Sequence, residues 1–215
     1  MICLNAKIYF PNSSVPFEIG RKNILSIETP FFDRDSVEMP SFGLRSNTNR
    51  ISFKDESGLI RDYAKQGLLT KDLKTEVFIF DTLKKKSQKI ATAFAENWQY
   101  DNNTRKVDLT ATDGLVDWQS IDVQHLGMEF RNTSEMVVVY EHLREIANQK
   151  SRTKVASFDE LDERTKNALQ RVKIVYPVIE QCSLWAAFSK LCVACMLNLY
   201  VRADGIAQPY YTYGD

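Results

Sequence analysis

A strand–turn–strand pattern in residues 89–119 constrains the fold more than any other part of the sequence. Apolar residues recur at even spacing on both arms, at Phe94, Trp98, Tyr100, Val107, Leu109 and Ala111. Residues 101–104, between the arms, are Asp-Asn-Asn-Thr, and their short polar side chains favour a turn. Alternation with period two buries one face of a sheet and leaves the other in water. No side chain here has an evident chemical role, so the pattern indicates a protein that builds a structure and is not an enzyme.

The size and charge of the chain set the next limits. Its 215 residues are enough for one large domain or two small ones with a sound core. Lysine and arginine total 28, and so do aspartate and glutamate. A nucleic-acid binder usually carries a basic surplus, because phosphate neutralisation drives its affinity. The balance therefore argues against direct recognition of DNA.

The first part of the chain has the character of a β domain. Short strands are predicted at residues 6–10, 24–28, 51–53 and 75–80, separated by clusters of Pro, Gly, Asn and Ser. With the arms of the 89–119 segment, about six to eight strands are expected. The expected fold is α+β, with a β-rich barrel or sandwich over residues 1–125.

Residues 126–215 change to helical periodicity and are expected to form a helical insert with a terminal hairpin, part of a second domain. Asn132 with Glu135 predicts one helix start, and Ser157 with Glu160 predicts another as a capping box. Ser183 is the expected cap of the third and strongest helix.

The third helix carries a broad apolar stripe, made of Leu184, Trp185, Phe188, Leu191, Cys192, Cys195, Met196 and Leu199. Cys192 and Cys195 form a CxxC, which elsewhere marks a redox pair or half a zinc site. Here both lie deep in the predicted helix on its apolar side, so core packing is the favoured interpretation. No metal or cofactor is expected. Asp204-Gly205 then predicts a tight hairpin.

Two features concern the ends of the chain and its compartment. The N-terminus shows no charged leader followed by a long apolar stretch, and residues 184–201 are too polar for a membrane span. Synthesis in a cytoplasm without membrane insertion is expected. The aromatic end, with Tyr210, Tyr211 and Tyr213, favours a chain that continues in a longer protein, because proteins normally cover such edges. These tyrosines and Phe31 and Phe32 are the candidate interface residues.

Several segments in residues 23–122 resemble, in their order, the first domain of phage tail hub proteins, the baseplate-hub or tail-tip proteins of long-tailed phages. They are Ser-Val-Glu-Met-Pro-Ser at 36–41, a strand ending in an acidic-Gly turn at 51–58, Glu-Val-Phe-Ile-Phe at 76–80, Trp-Gln-Tyr-Asp at 98–101 and Thr-Ala-Thr-Asp-Gly-Leu at 110–115. Ala93 stands where the family more often has glycine. The second half is similar in its LDERTKNAL segment, in Tyr176-Pro177 and in the Ser-Leu-Trp helix start.

The resemblance implies a structural role without catalysis. Hub proteins of this type resemble trimeric rings of small β-barrels at the junction of tail tube and tip. The implied partners are other copies of the chain and other tail proteins, with DNA only as passing cargo. The implied location is the virion tail, after synthesis in the bacterial cytoplasm.

Two other functions remain open at this stage. One is a carbohydrate- or receptor-binding β module at a tail tip, which needs an exposed aromatic platform. The other is a tail-associated cell-wall hydrolase, for which Glu96 with Asp101, or Asp113 with Asp117, are the candidate carboxylate pairs. The two histidines, His125 and His142, are expected in structural or surface positions. The Lys84-Lys85-Lys86 run is expected at a solvated hairpin tip.

Overall fold

The alternating segments form strands and the segments of helical periodicity form helices, so the fold is α+β. The computed structural model describes residues 2–11, 13–29, 43–44, 46–123, 134–174 and 181–211. The strands are β1 (Ile2–Ile8), β2 (Phe17–Ile19), β3 (Ile24–Glu28), β4 (Gly43–Leu44), β5 (Thr48–Lys54), β6 (Lys74–Asp81), β7 (Lys86–Asp101), β8 (Lys106–Thr112), β9 (Asp122–Val123), β10 (Ser134–Glu135), β11 (Lys154–Val155), β12 (Lys173–Ile174), β13 (Cys182–Ser183), β14 (Leu197–Val201) and β15 (Ile206–Tyr211). The α-helices are α1 (Leu59–Lys65), α2 (Met136–Lys150), α3 (Glu163–Arg171) and α4 (Leu184–Cys195). Short 3-10 helices span Leu115–Gln119 and Phe158–Glu160.

The described residues form two compact units that interleave along the sequence. Unit 1 takes the described residues of 1–32, 47–113 and 203–205. Unit 2 takes those of 33–46, 114–202 and 206–215.

Unit 1 is built on a seven-stranded antiparallel sheet in the order β2-β1-β6-β7-β8-β5-β3. A barrel or a sandwich is expected for residues 1–125, and the barrel is wrong, because the sheet that the described strands form is open, with β2 and β3 at its edges. Among the described strands, β2 pairs with Ala6–Ile8 of β1 alone, and after a turn at residues 20–23 the chain pairs with β5 instead. The two edge strands are thus too short, and attached to different neighbours, to close the sheet on itself.

The core of unit 1 lies on one face of this sheet, as period-two alternation requires. Val107, Leu109 and Ala111 are buried as predicted, and Trp98 and Tyr100 lie opposite Leu109 and Val107 on the neighbouring strand. A register shift between residues 95 and 97 interrupts the pairing of β7 with β8. Bulges of this type increase the twist of a sheet.

Unit 2 packs its helices against a four-stranded sheet in the order β11-β15-β14-β4. Trp118, Tyr140 and Phe188 lie at the centre of its core and are fully buried. The predicted hairpin at Asp204-Gly205 is confirmed, joining β14 to β15. Gly205 has a φ of 90°, which a residue with a Cβ rarely adopts.

One of the three predicted helix starts is confirmed. The Ser183 hydroxyl accepts a hydrogen bond from the N–H of Ala186 at the start of α4. The capping box at Ser157 and Glu160 is wrong: Ser157 precedes the 3-10 helix Phe158–Glu160 and makes no side-chain capping bond, and α3 begins at Glu163 with Asp162 as its cap. Helix α2 begins at Met136, with Glu135 at the cap position, while Asn132 lies outside the described residues.

The apolar stripe of α4 ends earlier than its period predicts. The helix stops at Cys195, and Met196 adopts the left-handed conformation with 53% of its surface exposed. Leu199 is buried, but in β14 and not in the helix. Of the described helices, none is both long and apolar enough to cross a membrane.

Candidate functional site

A groove beside the edge of the unit 1 sheet is the candidate binding site of the described structure. It encloses about 600 Å³ and is lined by Leu4, Ile27, Glu28, Thr29, Thr48, Arg50 and Ile90. These residues come from β1, β3, β5 and β7 and from the position just after β3. Its walls therefore belong to strands that are far apart in the sheet order but converge at the open edge.

The charge of the groove is balanced by one ion pair. Arg50 and Glu28 face each other across β5 and β3, with Nη1 3.7 Å from Oε2. Both side chains are 68% exposed, so the pair lies at the rim. Exposed pairs of this kind contribute little to stability. The other lining side chains are apolar or carry hydroxyls, so the groove as a whole is close to neutral.

A charged network holds the middle of the same sheet together. The Glu76 carboxylate accepts hydrogen bonds from the Tyr9 hydroxyl at 2.6 Å, from Lys89 Nζ at 2.8 Å and from Lys74 Nζ at 2.9 Å. Only 5% of the Glu76 side chain is exposed. Burial would raise the pKa of Glu76, but these hydrogen bonds outweigh burial and lower it to about 2.

The same network perturbs Tyr9. Its hydrogen bond to Glu76, followed by burial and the Glu76 charge, raises the pKa of Tyr9 to about 12. The ammonium of Lys74 also lies 5.1 Å from the centre of the Tyr9 ring. No sequence motif indicates this network, because Tyr9 and Glu76 are 67 residues apart and the pairing of β1 with β6 brings them together. Its geometry is that of a fully bonded structural cluster.

The predicted interface aromatics are only partly within the described residues. Tyr210 packs edge-on against Tyr200, with ring centres 5.0 Å apart. Tyr211 packs against the unit 2 core, and its N–H donates to Thr165 Oγ1. Both tyrosines are half-buried. Phe31, Phe32 and Tyr213 lie outside the described residues.

The carboxylates proposed for glycoside cleavage are each engaged in structural bonds. Glu96 accepts a hydrogen bond from Thr112 Oγ1, and Asp113 accepts one from the N–H of Asn47 at 2.7 Å. Asp117 forms a two-bond pair with Arg152, at 2.7 and 2.5 Å. Asp101 stands at the hairpin turn, where hydrogen bonds from Thr104 and from the N–H of Asn103 lower its pKa. A general acid needs the opposite shift.

The CxxC cysteines lie in the unit 2 core, as predicted. Cys192 and Cys195 are buried, and burial raises the pKa of each thiol, that of Cys195 to about 12. A thiol protonated at neutral pH is a poor nucleophile and a poor metal ligand. Among the described residues no group of three His, Cys, Asp or Glu side chains is placed to hold a metal ion.

The remaining polar candidates lie at the surface or outside the described residues. Lys84, Lys85 and Lys86 are exposed at the turn between β6 and β7, as predicted. His142 is half-buried on α2. His125 lies outside the described residues.

Comparison with solved structures relates this fold to two tail proteins, one of them from a prophage. The tail protein from Neisseria meningitidis MC58 superposes with a TM-score of 0.53 and 13% identity, over 97% of this chain and 51% of that one. The 43 kDa tail protein of prophage MuSo2 from Shewanella oneidensis gives 0.53 and 10%, over 98% of this chain and 56% of that one. No protein-family model matches the sequence, and no curated protein does. The chain therefore has the fold of these tail proteins and spans about half of their length.

Proposed function

We propose that this chain is a structural, non-catalytic component of a phage or prophage tail. The observation that carries the proposal is the shared fold, which extends over 97% and 98% of the chain in two proteins described as tail proteins. Because fold alone does not determine function, the order of sequence features supplies the second support. Segments 36–41, 51–58, 76–80 and 98–101 resemble, in their order, segments of tail hub proteins.

Within the tail, the proposed position is the hub or tail tip, and the proposed state is a homo-oligomer, a trimer. Two features of the described structure support self-association. The open sheet exposes the edges of β2 and β3, and half of the Leu25 surface on β3 is exposed. Unpaired strand edges and exposed apolar side chains are the parts of a surface that association covers. Tyr210 and Tyr211, with Phe31, Phe32 and Tyr213, are the proposed interface aromatics.

The proposed partners are other copies and neighbouring tail proteins, and DNA is only passing cargo. The 28 basic and 28 acidic side chains give a net charge of zero, which suits a wall that neither holds nor strongly repels a polyanion.

Light scattering coupled to size exclusion tests the assembly. A ring of three copies has about three times the 24.8 kDa mass of the chain, and negative-stain images should show rings. Tyr210→Asp is expected to lower the associated fraction, and Leu83→Asp, at an exposed side chain between β6 and β7, is the control. A monomer at every concentration, with no rings in the images, would contradict the oligomer.

Location and chemistry need separate tests. Antibodies raised against the purified chain should label the tails of particles released from the bacterial strain that carries the gene. Label confined to capsids, or absent from particles, would contradict the tail assignment. Incubation with dye-labelled peptidoglycan should release no dye, and release would show a hydrolase instead.

A further inference from the structure

The turn between β6 and β7 carries the most exposed large apolar side chain of the described residues, since 85% of the Leu83 surface is in contact with water. The turn is ordered by its own first residue. Asp81 Oδ1 accepts hydrogen bonds from the N–H of Leu83 at 2.9 Å and from that of Lys84 at 3.2 Å. No described strand pairs with residues 82–85. Leu83 therefore lies uncovered at the tip of an ordered hairpin.

Three lysines follow this leucine directly. Lys84, Lys85 and Lys86 are all exposed, and none of them forms an ion pair with another described residue. Asp81 is the one acidic residue of the segment 81–89, and its carboxylate is bonded to the backbone of the turn. The tip thus combines a surplus of positive charge with an exposed apolar side chain.

The type of cation indicates the type of partner. Lysine acts as a mobile point charge, whereas the planar fork of arginine suits a carboxylate or phosphate in a fixed position. Lysine is also depleted where proteins contact each other, and aromatic residues and arginine are enriched there. Three lysines without an arginine therefore favour a diffuse anionic surface over a protein partner.

Leu83 distinguishes between the anionic surfaces. Single-stranded nucleic acids are bound by basic grooves together with aromatic side chains that stack on bases, and residues 81–86 include no aromatic residue. A bilayer has an apolar layer directly beneath charged headgroups, so the same surface accepts a leucine and the lysines beside it. The long apolar stems of lysine allow the ammonium groups to stay at headgroup level.

We propose that the β6–β7 turn, residues 81–86, binds peripherally to bilayers that contain anionic phospholipid. Leu83 enters the boundary between headgroups and acyl chains, and the three lysines contact the lipid phosphates. Each lysine is expected to raise the affinity about fivefold and the leucine about tenfold. A single turn should therefore reach half-saturation at about a millimolar of accessible lipid.

Sedimentation of the full chain with lipid vesicles tests the proposal. One set of vesicles contains phosphatidylcholine alone, and the other also contains about one third phosphatidylglycerol. The chain should sediment with the anionic vesicles, and binding should be lost between about 0.05 M and about 0.5 M salt, because salt screens the lysine charges. Absence of binding to the anionic vesicles would overturn the proposal, and so would equal binding to both sets.

A serine at position 83 tests the apolar contact. Leu83→Ser keeps every charge and should weaken vesicle binding about tenfold. Val15→Ser is the matched control, because Val15 is a 68% exposed apolar side chain of unit 1 that lies among the uncharged residues 11–17. It should leave binding unchanged. Undiminished binding of Leu83→Ser would assign the turn to polyanions in general and overturn the membrane assignment.

Two triple variants test the charges. The combination of Lys84→Gln, Lys85→Gln and Lys86→Gln should weaken binding about a hundredfold. The control removes the same charge from exposed lysines elsewhere in unit 1, as Lys22→Gln, Lys65→Gln and Lys71→Gln. Equal losses in the two triple variants would mean that net charge alone attracts the chain, and would contradict a site at the turn.

A fluorescent label shows whether residue 83 enters the bilayer. Cys182→Ser removes the partly exposed thiol of the chain, and L83C then carries a dye that responds to the polarity of its surroundings. The emission should shift to the blue when anionic vesicles are added. The same dye on V15C should show no shift. An unshifted label at residue 83, or equal shifts at residues 83 and 15, would overturn the insertion of the turn.

Discussion

The hydroxyl of Tyr9 donates a 2.6 Å hydrogen bond to the carboxylate of Glu76. Tyr9 directly follows β1, and Glu76 lies in the neighbouring strand β6. Lys74 and Lys89 complete the shell of donors around that carboxylate. Because the carboxylate is almost fully buried, only its ionised form satisfies these donors. The bond therefore ties the stability of unit 1 to the protonation of a single group.

The stability of the protein is expected to fall between about pH 5 and pH 2. The pKa of Glu76 is lowered from 4.5 to about 2, so its contribution is present above the unfolded value and is lost as pH falls through the folded one. The shift corresponds to roughly 3 kcal/mol at neutral pH. Glu76→Gln should flatten the dependence of the melting temperature on pH in this range. Glu56→Gln, in an exposed turn, should not, and parallel curves for wild type and Glu76→Gln would refute the link.

Removal of the Ser151 hydroxyl is expected to destabilise unit 2. Trp118 donates its indole N–H to Ser151 Oγ at 3.0 Å, and both groups are buried. Ser151→Ala leaves that donor unpaired, which costs about 1–3 kcal/mol. Urea unfolding followed by tryptophan fluorescence measures the change. Ser120→Ala, at an exposed hydroxyl, serves as the control, and an equal loss in the two variants would argue against the buried bond as the cause.

The thiols are expected to react in two classes. Cys182 is partly exposed, whereas Cys3, Cys192 and Cys195 are buried, and burial raises the pKa of the last two. A disulfide reagent at pH 8 should label Cys182 rapidly and the three buried thiols only after unfolding. Peptide mass spectrometry identifies the labelled sites, and Cys182→Ser should remove the rapid phase. Fast labelling of Cys195 in the folded chain would mean that the core position is incorrect.

Two neighbouring polar residues are expected to differ in their effect on α3. The Asp162 carboxylate accepts hydrogen bonds from the N–H and the hydroxyl of Thr165, so Asp162→Ala should cost about 1 kcal/mol. The Ser157 side chain makes no capping bond, so Ser157→Ala should have a smaller effect. Chemical denaturation of the two variants makes the comparison. A larger loss at Ser157 would restore the capping box that the sequence predicts.

Local signals in the sequence predicted the elements well where neighbouring residues decide the structure. Ser183 caps α4 because its hydroxyl needs only an N–H three residues away, and Asp204-Gly205 turns because Gly205 accepts a positive φ. The capping box predicted at Ser157 does not form, because Leu161 is buried in an extended conformation and ends the helical segment before Asp162. Here burial in the core prevailed over a local capping preference.

Long-range features were out of reach of the sequence alone. The sheet is open because β2 pairs with β1 whereas β3 pairs with β5, and no local sequence pattern predicts these two pairings. The groove residues Leu4, Ile27 and Ile90 come from three separated strands and look like ordinary core positions in the sequence. The pairing of the strands, and not any local sequence pattern, therefore brings the residues of the candidate site together.

The sixteen residues of β7 have a mechanical consequence. Residues 86–94 pair with β6, and residues 94–101 pair with β8, so this one strand joins the β2-β1-β6 half of the sheet to the β8-β5-β3 half. A force that draws the two halves apart along the strands must pass through it. The hydrogen bonds that β7 makes to β6 and β8 would then be loaded together in shear, and they would have to break at the same time and not in sequence. Unit 1 is thus built to resist tension along its strands, and residues 94–95, which are bonded on both sides, are where the load passes from one half to the other.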